Sequence, residues 1–64
     1  MKAFELGYNA AINNGQCIFA HNKDAMTLLN GNKVGDKDNM LIMNEFRDGV
    51  DSGIQELTYA LMGE

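Results

Sequence analysis

The stretch MLIMNEFRDGVDSGIQELTYAL, residues 40–61, decides how this chain folds. At roughly 100° per residue, Ile42, Met43, Phe46, Val50, Gly53, Ile54, Leu57, Ala60 and Leu61 fall within an arc of about 120°. The opposite arc holds Asn44, Glu45, Arg47, Asp48, Asp51, Ser52, Gln55, Glu56, Thr58 and Tyr59. This separation predicts one long amphipathic helix from about Met40 to Leu61. Asp38 or Asn39 is placed to cap its start, and Gly63 lies just past its end.

Two glycines inside that helix need a reason, because each costs about 1 kcal/mol of helix propensity relative to alanine. Gly49 and Gly53, with Ser52 and Ala60, form a ridge of small residues that lets another backbone come close. The partner ridge lies near the N-terminus. Residues Lys2 to about Asn13 read as a first helix, with Phe4, Gly7, Tyr8, Ala11 and Ile12 on one face and Glu5, Asn9 and Asn13 on the other. Ala3, Gly7, Ala10 and Ala11 make its ridge, and Asn14-Gly15 is a strong stop because both residues tolerate the left-handed conformation. The expected fold class is all-α: a small helical hairpin of two main helices packed ridge to ridge, with a short middle helix and a loop. Phe4, Tyr8, Phe46 and Leu57 would fill the space alongside.

The middle of the chain is less regular. Cys17 to Ala20 is a short apolar run that periodicity cannot assign to strand or to connection. Asn22 or Asp24 can cap a short helix over Ala25 to Leu29, closed by Asn30-Gly31. Residues Asn30 to Asn39 are rich in Asn, Gly, Asp and Lys with only Val34 to bury, which reads as a loop.

The two main segments echo each other. Phe4-Glu-Leu-Gly7-Tyr-Asn-Ala10-Ala11-Ile12 recurs 42 positions later as Phe46-Arg-Asp-Gly49-Val-Asp-Ser52-Gly53-Ile54, with aromatic, glycine, two small residues and isoleucine matched. Helices bearing the same code can pack about an approximate two-fold axis, or swap between chains to give a dimer. Ala3-Phe4-x-x-Gly7-Tyr8-x-Ala10-Ala11, then Gly15, then a second aromatic-x-x-Gly segment, resembles the ribosome-modulation-factor-like small proteins of bacteria, plasmids and phages. The resemblance covers about a third of the chain and implies a pair of packed helices. The family's ribosome-binding members are rich in Arg and Lys, whereas this chain is acidic, and Val50 stands where a second aromatic is expected. RNA binding is therefore not carried over.

Composition narrows the function classes. Sixty-four residues make one domain, and a chain this short buries only roughly 60% of its unfolded surface. Small scaffolds add disulfides, a metal or a second subunit. The single Cys17 excludes an internal disulfide and fits a reducing, cytoplasmic setting. Self-association is thus an expectation. Nine Asp and Glu against five Lys and Arg give a net charge of −4, which argues against nucleic acid as partner and favours a protein with a basic surface. The longest apolar run, Met40 to Met43, is far too short to span a membrane.

No catalytic set and no cofactor site emerge. Cys17 and His21 lie four apart, but a structural zinc site needs four ligands and the chain has no other Cys or His. Asp36-Lys-Asp38-Asn39 puts Met40 and Leu41 where a calcium loop needs an oxygen ligand and a glycine, so helix capping explains these acids better. Gly31-Asn-Lys33-Val-Gly35 lacks phosphate-loop spacing. What remains is a strip on the outer face of the last helix: Leu41, Glu45, Asp48, Ser52, Glu56 and Tyr59. An aromatic and a leucine among acids is the composition of protein-binding surfaces, and five methionines add adaptable apolar surface. The expected function is a small acidic, non-enzymatic binding protein that docks this strip on a host or partner protein, in the manner of phage accessory or inhibitor proteins. A ribosome- or RNA-associated factor and a structural homodimer are the alternatives.

Overall fold

A computed structural model describes residues 2–29 and 36–63. The protein is all-α, with α1 at Lys2–Ile12, α2 at Lys23–Met26 and α3 at Lys37–Met62, and a 3-10 turn at Phe19–His21 before α2. Among the described residues there is no strand, so the undecided run at 16–20 is an irregular connection leading into the 3-10 turn. The expected middle helix stops early: α2 ends at Met26 and residues 27–29 form a turn, while Asn30-Gly31 and most of the expected loop lie outside the described residues.

Side-chain caps set the helix boundaries, and two differ from expectation. α3 starts at Lys37 because Asp36, not Asp38 or Asn39, is its cap. The extended backbone of Asp36 aims its Oδ1 at the N–H groups of Asp38 and Asn39, which donate at 2.9 and 3.1 Å. Asp38 then sits in the first turn, where a negative charge favours the positive end of the helix dipole. Asn22 caps α2 in the same way, its Oδ1 accepting the Ala25 N–H at 3.0 Å, so α2 begins at Lys23 rather than Ala25. The end of α1 follows expectation: Asn14 has φ 58°, and the Gly15 N–H donates to the Ala10 carbonyl at 2.7 Å.

α1 and α3 meet through their glycines. A Cβ placed on Gly7 would land on the Phe46 carbonyl and lie 3.0 Å from the Val50 nitrogen. One placed on Gly49 would land on the Phe4 carbonyl and lie 2.9 Å from the Tyr8 nitrogen. These contacts are reciprocal under the same offset of 42 that relates the two sequences. The internal echo is therefore an approximate two-fold packing of one helix on the other. Gly53 extends the contact to the Ala11 side chain and the Tyr8 carbonyl. The order of contacts, Phe4 with Gly49 and Ala11 with Gly53, makes the two helices run in the same sense. The connection that follows α1 carries the 3-10 turn and α2 alongside this pair.

Along that connection the chain closes the core. Among the described residues Phe46 is the one large side chain that is fully buried, and the Phe19 ring meets it edge-on with centroids 5.3 Å apart at 85°. Ala3, Ala11, Ala25 and Val50 complete the cluster, with Leu6, Leu28 and Ile42 packed against it. This core is narrower than the apolar arc of α3 suggests. Met43, Ile54, Leu57, Ala60 and Leu61 are exposed, Leu57 by 40% and Leu61 by 81%. The reason is length: 11 residues of α1 cannot cover 26 residues of α3, and the molecule extends 45 Å by 18 Å by 16 Å. For the same reason Ala60 adds nothing to the small-residue ridge, which ends at Gly53.

Replacing Gly49 with alanine should destabilise the fold by about 2 kcal/mol or more, because the collision with the Phe4 backbone outweighs the gain in helix propensity. Gln55→Ala, on the exposed side of the same helix, should stay within about 0.5 kcal/mol. Urea unfolding followed by circular dichroism measures both.

Candidate functional site

The strip Leu41, Glu45, Asp48, Ser52, Glu56 and Tyr59 runs along the side of α3 away from the Phe46 and Val50 core stripe. It spans 19 residues from Leu41 to Tyr59, a rise of about 27 Å along the helix. Leu41, Asp48, Glu56 and Tyr59 are exposed, Tyr59 by 68%, while Glu45 and Ser52 are half-buried. One helix carries all six, so their relative positions are set by α3 itself.

Glu56 differs from the others. The Tyr8 hydroxyl of α1 donates a hydrogen bond to its Oε2. This contact places Glu56 on the edge of the strip that borders α1, where it ties the two helices together. The same bond, followed by partial desolvation and the charge of Glu56, raises the pKa of Tyr8 above the ordinary value of 10.0. A phenolate facing a carboxylate is disfavoured, so the neutral phenol is retained to higher pH. The two residues are 48 positions apart, and no local signal in the sequence joins them. The echo could have done so: it aligns Gly7 with Gly49, and Glu56 lies two helical turns beyond Gly49 on the same side.

A second feature escaped the sequence reading. Cys17 and Phe19, on the returning connection, face Met43, Phe46, Arg47 and Val50 of α3 across a groove of about 330 Å³. The groove depends on where the connection crosses α3, and periodicity carries no information about that.

The remaining chemistry-bearing residues are dispersed. Cys17 precedes the 3-10 turn and His21 ends it, so the two do not share a helix face. Both are exposed, and the Cys17 thiol lies 3.8 Å from the Gly15 carbonyl. Among the described residues no three His, Cys, Asp or Glu side chains gather closely enough to hold a metal ion. Asp36 and Asp38 have the capping and first-turn positions already described. Gly31, Lys33 and Gly35 lie outside the described residues. No described helix is long and apolar enough to cross a membrane. Comparison with protein-family models, with curated proteins and with solved structures found no match.

The raised Tyr8 pKa has a definite sign for stability. The folded form binds its phenolic proton more tightly than the unfolded chain does. The contribution is therefore complete below pH 10 and is lost as pH rises through the higher folded value. In a Tyr59→Phe background, ultraviolet titration of the single remaining tyrosine should give a midpoint above 10, and Glu56→Ala should return it toward 10.

Proposed function

We propose that this chain is a small acidic binding protein without enzymatic activity, which docks the outer face of α3 on a basic surface of a partner protein. The observation that carries this reading is the composition and exposure of one helix face. Leu41 and Tyr59 stand exposed at its two ends with Asp48 between them. Tyr is a favoured anchor at protein interfaces because it combines a large apolar ring with a polar tip. Of the cations of α3, Arg47 belongs to another face of the helix, whereas Lys37 lies one turn before Leu41, at the N-terminal end of the strip. Between Leu41 and Tyr59 an approaching basic partner would thus meet acids and an aromatic with no competing positive charge in the strip. Charge of one sign speeds encounter, while the aromatic supplies affinity once the surfaces touch.

Glu45 and Ser52 support the strip from its half-buried side, and Glu56 holds it to α1 through Tyr8. In this reading Leu41, Asp48 and Tyr59 make the contact and the other three position it. A compact protein with no catalytic residues gains most by covering the working surface of a larger one. A phage-type accessory or inhibitor protein acting in the cytoplasm is the role we assign. The net charge of −4 weighs against the ribosomal or RNA-bound alternative that the family resemblance brings with it.

Affinity capture from a bacterial lysate with the wild-type chain and with a Tyr59→Ala, Asp48→Ala double variant tests the proposal. The expected result is a captured protein that is lost at least about tenfold in the variant and released by raised salt. Identical capture by both chains would overturn it, as would RNA binding by the wild-type chain at low salt.

A further inference from the structure

α3 carries a second seam beside the one that α1 fills. Met40, Met43, Arg47, Val50, Ile54, Leu57 and Leu61 follow one another at alternating steps of three and four residues. That spacing is the a/d pattern of a coiled coil, which turns one stripe toward a neighbouring helix. Gly49 and Gly53, the residues that admit α1, lie to one side of it. Within the seam only Val50 is buried, and Met40, Met43, Ile54, Leu57 and Leu61 are 40% to 81% exposed.

We infer that this seam is covered by a second copy of the chain, bound antiparallel with its two-fold axis close to Val50. Three observations select that occupant. The first is area. A compact monomer of this mass would expose roughly 4,100 Å² by the usual scaling with mass. The chain exposes 4833 Å². The excess, about 700 Å², is close to the share that each partner contributes to a standard interface.

The second is shape. One half of the seam projects beyond the end of α1 as a ridge of Ile54, Leu57 and Leu61. The other half borders the groove between Cys17, Phe19 and Met43. An antiparallel copy pivoted at Val50 sets Leu57 of each chain against Met43 of the other and Leu61 against Met40. Ridge and groove are filled twice by one symmetric contact, as a two-fold interface requires.

The third is charge. Arg47 is the one charged residue in the seam, and Asp51 lies one turn on, along the flank of the same seam. A parallel pair would bring Arg47 of one copy against Arg47 of the other. The antiparallel register instead sets Arg47 beside Asp51 of the second copy, and repeats that pairing through the two-fold axis. The outer strip of Leu41, Asp48 and Tyr59 lies on the far side of α3 and stays open in this dimer. The dimer therefore stands or falls independently of the docking reading.

Light scattering coupled to size exclusion, on the full chain, tests the inference. The wild-type chain should show twice the 7.1 kDa chain mass at high concentration and fall toward the chain mass on dilution. Leu57→Asp and Arg47→Asp should each weaken association at least about tenfold while leaving the helical circular dichroism unchanged, since both side chains are exposed. Combining Arg47→Asp with Asp51→Arg should restore the dimer. A wild-type chain of single mass at every concentration overturns the inference, as does a dimer that survives both single changes. Failure of the charge exchange to restore association overturns the antiparallel register.

Discussion

The structure depends on the approach of two backbones where α1 crosses α3. Gly7 lets the Phe46 carbonyl reach α1, and Gly49 lets the Phe4 carbonyl reach α3. No other residue type has room there, since any Cβ would occupy the position of a carbonyl oxygen. Such contacts bring helix backbones close enough for dispersion along the whole crossing and for weak Cα–H···O interactions. Two glycines inside helices are costly in isolation. Here the cost is offset because the reciprocal contact seats α1 on α3 around Phe46, the largest fully buried side chain among the described residues.

From that contact the rest of the core takes its position. With α1 seated at Gly49 and Gly53, Phe46 and Val50 lie beside it, and the returning chain brings Phe19 onto the Phe46 ring. Ala25 of α2 closes the far side. Tyr8, next to Gly7, is carried to within hydrogen-bonding reach of Glu56. The small core also sets a limit. α1 ends at Ile12 after covering the central turns of α3, and the last three turns run on with their apolar stripe facing outward. The unequal lengths of the helices thus leave part of the apolar stripe of α3 exposed.

That surface has two sides of different chemistry. One is acidic and carries Tyr59, and the other is a seam of methionine, leucine and isoleucine with a single arginine. Because both belong to one rigid helix, binding on either side leaves the geometry of the other unchanged. A dimer built on the apolar seam would display two acidic strips facing away from each other. Such an arrangement suits two-site attachment to a symmetric partner, where the second contact forms at high effective concentration.

Much of this was legible in the residues alone. The long amphipathic period of α3, the stop at Asn14-Gly15 and the matched ridges of small residues each follow from local rules of propensity and spacing, so an all-α pair of helices was determined by the sequence. The caps were legible as a type but not as positions. Several Asp and Asn residues stand side by side before α3, and only the extended backbone of Asp36 selected it. Tertiary structure alone decided which part of the apolar arc is core. A helical wheel counts residues around an axis and is blind to where a shorter neighbour ends, so Leu57 and Leu61 read as interior although they are 40% and 81% exposed. It also decided the common direction of the two helices and the bond between Tyr8 and Glu56, because both depend on how α1 is seated on α3, which no local pattern encodes.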